Sequence, residues 1–329
     1  DISNVVRNSV DADLIGNLIV NTAGDIEVKA HENAYLSAEA LSIAASFSLG
    51  AAVGASVVSN TADSDIEAAI TDADVTTFGD VDVLAISQLD INNTDTAGIS
   101  GSLVGVTLNS ATAVARNTVK AGIRGGEINA ETGTVTIKAE ADNDAEATAV
   151  GGAVGALAVG AMKAETRLGT AAEEEVVADV GDNTIIHSAG LKLQSISNDD
   201  IFADAEALSG GLVGLAGADV DTATRQDAIA RIGDDVEIHT GTLEIEADHQ
   251  QSVDARGDAL AFGLGAGFGV DVDNLVLGQA VVDIGLGSDL FASDIFIDAS
   301  NVLSKERFNT GFNLSSGSVG LVSFGIMTS

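Results

Sequence analysis

The side chains with most chemistry to offer are carboxylates in repeating positions. Asp142 and Asp144 flank Asn143, and Asn198, Asp199 and Asp200 form a matching group 56 residues later. Asp90, Asn92, Asn93 and Asp95 read as the same polar corner one unit earlier. Stacked copies would bring these oxygens together, and clustered oxygen ligands of flexible geometry suit Ca²⁺. The pairs Asp219, Asp221 and Asp271, Asp273 recur at 52 residues and form a further candidate calcium ladder. Asp182, Asp234 and Asp235 mark a weaker one at Gly/Asp/Asn turns. A plainer reading stands beside the calcium one: Asp and Asn occupy such places because they tolerate turn conformations.

Other candidates carry less. His187 and His239 are 52 residues apart. Zinc would need further ligands at recognisable spacing, which are missing, so a solvated polar ladder is expected. Arg7, Arg116 and Arg225 each precede a unit start and are expected to pair with neighbouring acids. The segment GLGAGFG (263–269) lacks the Lys-Ser/Thr ending of a phosphate-binding loop. A polysaccharide-active enzyme would need a cleft with basic residues or paired carboxylates. Regular repetition argues against such a unique site, so the chain is expected not to be an enzyme, with that activity kept as an alternative.

The elements that would position these groups follow from internal repeats. One marker appears as VDADL (10–14), IEAAI (66–70), VKAGI (119–123), VVADV (176–180), AIARI (228–232) and AVVDI (280–284). A second appears as IEVKA (26–30), VDVLA (81–85), VTIKA (135–139), LKLQS (191–195), LEIEA (243–247) and IFIDA (295–299). Both recur every 52–57 residues, giving six units across residues 1–329 that start near 10, 66, 119, 176, 228 and 280. Period-two alternation dominates and 3.6-residue spacing is rare. The one helix-like patch is TAAEEEVVADV (170–180). Short parallel strands separated by Gly/Asp/Asn turns describe a β-solenoid, with each unit forming either two rungs or one wide rung.

The last element of each unit is a Gly/Ala/Val run, at its plainest AVGGAVGALAVGA (149–161). Alone it suggests a membrane span, which needs about 20 apolar residues. Its copies, such as AGISGSLVGVTL (97–108) and ALSGGLVGLAGADV (207–220), are shorter or carry polar residues, so no span is expected. The expected role is a wall of small side chains where two sheets approach closely.

Composition narrows the function. With 14 basic and 50 acidic residues the net charge is −36, which excludes phosphate-directed nucleic-acid binding. Apolar residues make up 46% of the chain but aromatics only 3%, so the core must be thin. Cys and Pro are both absent, which removes thiolate chemistry and suits uninterrupted strands. Asp1 begins inside a pattern, and the chain reads as a piece of something longer.

The unit, V-x-A-x-I-G-D followed by T-G-x-V-x-I-x-A, an Ala-rich stretch and G-x-x-V-G-x-x-x-G, resembles repeats of giant bacterial secreted surface proteins. These are the filamentous-haemagglutinin-like and leukotoxin-like adhesins, and the resemblance spans essentially the whole chain. It implies an all-β, right-handed parallel β-helix serving as an extracellular stalk or filament at the bacterial cell surface, with no catalytic residues. The sequence departs from those adhesins in showing neither a secretion domain nor a calcium-binding nonapeptide. The expected partners are neighbouring segments of the same long chain or identical subunits stacked end to end, with surface glycans or cells beyond them.

Overall fold

Alternating side chains, β-branched marker residues and missing proline favour strands along most of this chain. A computed structural model describes residues 1–46, 50–169, 175–305 and 314–328. Strand accounts for 90% of the described residues, which contain no helix. The strands are β1 (Ile2–Asn21), β2 (Ile26–Ala45), β3 (Ala51–Thr77), β4 (Val81–Gly101), β5 (Val104–Arg124), β6 (Glu127–Leu168) and β7 (Glu175–Val180). They continue as β8 (Ile185–Ile232), β9 (Glu237–Phe262), β10 (Gly265–Ile284), β11 (Asp289–Ser304), β12 (Leu314–Val319) and β13 (Val322–Thr328). Of the helix-like patch, residues 170–174 lie outside the described residues, and the remainder is β7.

One circuit shows the architecture. From Val81 the chain runs along β4 on a first wide face and reverses near Ser102. It returns along β5 on a second wide face and turns at Gly125 and Gly126. It then crosses a narrow face at the start of β6, and reaches Val135, which pairs in parallel with Val81. The circuit is one repeat long. Every first marker pairs with the next, Val10 to Ile66 to Val119 to Val176 to Ala228 to Ala280. The second markers pair likewise, from Ile26 through Val81, Val135, Leu191 and Leu243 to Ile295. Each repeat is therefore one wide circuit and not two.

Alternation then sorts the side chains. Inward residues of the two markers and the narrow face, such as Ile66, Ile70, Val75, Val81 and Ile137, form one fully buried core. Beyond it, Ala-rich inner positions of the two wide faces, including Ala113, Ala147, Ala164 and Ala203, form a second, thinner core. The Gly/Ala/Val run lies at the far end of this second core, in strand, and turns the chain from one wide face to the other. Its expected close approach is visible at Gly151, where an added Cβ would stand 2.6 Å from Met162 Cε and 2.7 Å from Asn109 Nδ2. Among the described residues no helix is long and apolar enough to cross a membrane.

The corners explain the turn residues. Asn183 and Asp235 adopt left-handed backbone angles, φ 57° and 54°, with Gly287 at 75° in the corresponding place of the next circuit. Asn, Asp and Gly are the residues that tolerate this region. The neighbouring aspartates hold the stack together. Asp182 Oδ1 accepts from the Asp234 backbone N–H at 2.8 Å, and Asp234 Oδ1 accepts from that of Leu286 at 2.7 Å. Asp25 and Asp80 repeat the device, accepting from the N–H groups of Asp80 and Thr134.

Candidate functional site

Between the two apolar cores runs a belt of buried polar side chains. Inward columns from the two wide faces supply it: Ser197 and His249 in one, Asn143, Asp199 and Gln251 in the next, and Asn117 and Gln226 opposite. Asp199 is the hub. Its Oδ1 accepts from Asn143 Nδ2 at 2.9 Å, and its Oδ2 lies 3.0 Å from His249 Nε2. Asn143 also bonds Gln226 Oε1 at 3.0 Å and accepts from Asn117 Nδ2 at 2.9 Å. The Gln251 amide lies 2.8 Å from the same His249 nitrogen. Room for the imidazole comes from Gly278, where an added Cβ would stand 2.3 Å from His249 Cε1. At the other end of the stack, buried Glu32 accepts from Asn8, Ser64 and Ser87. The belt is sealed from solvent, so it positions the two faces against each other and offers no substrate access.

The structure redistributes the sequence-selected acids. Residues 142–144 and 198–200 lie within strands β6 and β8, not at a corner. Alternation sends Asp142, Asp144 and Asp200 outward, whereas Asp199 points inward. Asp90 stands beside Asp144, and Asp95 beside Thr148, across a bulge after Ile91. The Asn93 side chain lies outside the described residues. Asp219 beside Asp271 and Asp221 beside Asp273 do form outward columns, as the spacing suggests. Lys163, one circuit earlier, reaches Asp221 at 2.8 Å and Asp219 at 3.4 Å. The Asp221 hydrogen bond is the main reason its ammonium pKa is raised. Among the described residues, no three His, Asp or Glu side chains are grouped to hold a metal ion.

Some other outward columns pair opposite or neutral groups, whereas Asp90, Asp144 and Asp200 stack like charges. Asp63 stands between Arg7 and Arg116, 3.7 Å from Arg7 Nε. Asp179 receives both forks of Arg124, at 3.1 and 3.0 Å, and Arg124 also reaches Glu67 at 2.5 Å. Sequence reasoning missed this clamp. His187 and His239 stack at 5.0 Å, and Phe291 continues the column at 4.6 Å, so the pair is a ring ladder.

The outer side of the first wide face holds a groove of about 790 Å³. Its floor is aliphatic: Leu41, Ile99, Val150, Leu208 and Leu260 line it. Arg256 edges it, bound to Asp204 at 3.7 Å, to Glu206 at 3.1 Å and to Asp258. Asp204 is nine-tenths buried, and its Oδ1 has no hydrogen-bond partner. Burial pushes its carboxyl up to about 7, with Arg256 opposing and Glu206, Asp258 and Glu146 adding to the rise. Burial is also the leading cause of raised carboxyl pKa values at Asp13, Asp82, Asp90, Asp95 and Asp142.

Comparison with protein families, with curated proteins and with solved structures gave no match to this chain.

Two outcomes follow from this geometry. Asp199→Ala would deprive Asn143 and His249 of one hydrogen-bond partner each in a dry interior, and is expected to cost about 1–3 kcal/mol for each group left unpaired. Ile137→Val, also fully buried, should cost only about 0.5–1.5 kcal/mol. Urea unfolding of both variants ranks them, and an Asp199→Ala loss no larger than that of Ile137→Val contradicts the hub role. The second outcome concerns pH. A folded carboxyl at about 7 keeps a proton that the unfolded chain, near its ordinary value, has already released. Stability should therefore fall as pH rises from about 4 to about 7 and level off above. Melting curves across this range are expected to show the slope, and Asp204→Asn to reduce it.

Proposed function

We propose that this chain is a non-catalytic structural segment, a stalk or filament, of a large extracellular bacterial adhesin or surface fibre, built as a parallel β-helix. The observation that carries the reading is the agreement of the 52–57-residue sequence period with the strand register. Such a coil grows by adding circuits, each advancing the axis by about 4.8 Å. Each circuit is fixed by backbone pairing and by its inner columns. Mechanical spacing is the task that this construction serves, because length scales with repeat number while the cross-section stays constant. A net charge of −36 keeps such a surface soluble and apart from its neighbours. Cations, calcium foremost, would gather along the outward columns of Asp219, Asp221, Asp271 and Asp273.

The edges favour one further reading. Among the described residues β1 pairs only with β3, and β2 only with β4, so their outer edges offer backbone groups unpaired by any described strand. At the opposite side, Ile295 and Ile297 occupy core columns yet are half exposed. Such edges accept a further circuit, whether from the same long chain or from a second copy joined end to end.

The dimensions supply the test. A wide face of about 20 residues is about 66 Å across, whereas six circuits rise only about 29 Å, so this segment is a slab broader than it is tall. A tandem duplication joined in register should lengthen the particle by about 29 Å along one axis, with the cross-section unchanged in small-angle scattering. Growth in two dimensions would reject the stalk. Sedimentation of the single chain separates stalk from filament: a monomer supports the former, concentration-dependent stacks the latter. For cations, calcium should raise the melting midpoint beyond sodium chloride of equal ionic strength. The double substitution Asp271→Asn and Asp273→Asn should remove that excess, and equal midpoints in calcium and chelator would refute it.

A further inference from the structure

The outer groove of the first wide face has no part in holding the coil together, yet it is built in register. Its floor consists of two adjacent outward columns. One runs Leu41, Ala97, Val150, Glu206, Asp258, Ser315, and the other Ile43, Ile99, Gly152, Leu208, Leu260, Gly317. Ile99 is 60%, Leu208 45% and Leu260 39% exposed, although each belongs to an aliphatic surface continuous over several circuits. Contiguous apolar surface of this kind marks an interaction site.

The surroundings specify the occupant's charge. The next outward column holds Glu39, Asp95, Thr148, Asp204 and Arg256. The guanidinium of Arg256 is shared among Asp204, Glu206 and Asp258, so this end of the groove keeps an excess of acid. A second copy of so acidic a chain would meet repulsion there, whereas a cationic partner would not.

Shape decides between kinds of cationic partner. The floor is a sheet face covered by side chains, so it offers no backbone edge to an extended peptide. A helix satisfies its own backbone and needs only an apolar bed. The span from the Asp95 column to the Val154 column is six residues, or about 20 Å, which admits a helix of about 10–12 Å diameter. Five circuit spacings give about 24 Å of length, or about 16 helical residues. A bilayer surface, being broad and flat, does not enter a concave groove.

We infer that this groove is a docking site for a basic amphipathic helix of a partner protein, lying along the coil axis with its aliphatic face on Ile99, Leu208 and Leu260 and its Lys or Arg side chains toward Asp95, Glu206 and Asp258. The inference is independent of the stalk reading.

The test titrates an 18-residue Leu/Lys amphipathic helical peptide into the full chain. Binding is expected to weaken with added salt. The variants are Leu208→Glu with Leu260→Glu, and separately Ile99→Asp, all at outward positions whose effect on folding is read from the melting midpoint. Each variant adds negative charge, so attraction to the acidic surface alone would leave the affinity unchanged or raised. Groove docking instead predicts a loss of about tenfold to a hundredfold per buried aliphatic side chain. Unweakened binding to a folded variant overturns the proposal. So does equal binding of a Leu/Glu peptide with the same apolar face. Phosphatidylcholine vesicles that bind through the same residues would overturn it in favour of a lipid surface.

Discussion

Everything in this molecule depends on parallel, in-register stacking. Each side chain has its nearest like-placed neighbours 52–58 residues away in the circuits before and after it. Whatever a column contains is therefore repeated at about 4.8 Å, and a residue that stacks poorly upon its own kind is penalised at every step. Inside, this selects uniform aliphatic columns. The central position of the first marker is Ala12, Ala68, Ala121, Ala178 and Ala230 in succession, flanked by columns of Val, Ile and Leu. With only 3% aromatics available, the wide faces must lie close together, and the Ala-rich second core follows from that. The buried belt suits the same rule, because amides can donate and accept along a column as apolar groups stack.

The rule is harder on charge. A column of aspartates would place like charges at strand spacing, which is destabilising. The outer surface meets this in three ways. Some columns insert an opposite charge, as Asp63 between Arg7 and Arg116, or Lys163 ahead of Asp219 and Asp271. Corner carboxylates take backbone N–H groups of the following circuit, so the negative charge of Asp182 and Asp234 joins one circuit to the next. Partly buried ones hold their protons more tightly, as at Asp82 and Asp142. These uses explain why so acidic a chain closes into a stack without the acids being gathered around one centre.

The period was fully legible because marker columns tolerate few residue types. Circuit number per repeat was not, since pairing partners cannot be read from one sequence. The acids were misread for a specific reason. Asn and Asp in a row suggest a turn, yet alternation continues straight through them. Counting by two from Leu191 passes Leu193, Ser195, Ser197, Asp199 and Ile201, all buried. Counting from Leu243 passes Ile245, Ala247, His249, Gln251 and Val253 on the opposing circuit's same face, also buried. The signal that Asp199 and His249 share an interior was present in that parity. Composition hid it, because a run of Asp and Asn reads as a corner.

Repeat length varies, and the places where it varies show what the coil protects. The register shifts fall between Ile15 and Leu18, between Leu36 and Ala38, between Ile91 and Thr94, and between Ala130 and Thr134. The first and last sit near corners. The middle two mark one bulge, just past the polar belt. Extra residues thus enter near corners or at one bulge within a wide face, and both marker columns return to register beyond them. The Gly/Ala/Val run belongs to the same logic from the other side. Its inward positions must stay small, as the neighbours of Gly151 require, but its outward positions are free of that limit. Packing within one coil accounts for Ala and Gly there, and leaves unexplained why the outward residues Val150, Val154, Leu208 and Leu260 are aliphatic, as are Val53, Leu108, Leu157 and Val213 on the second wide face. An apolar exterior on an otherwise acidic coil has no role in stacking, so its cause must lie in what meets that face.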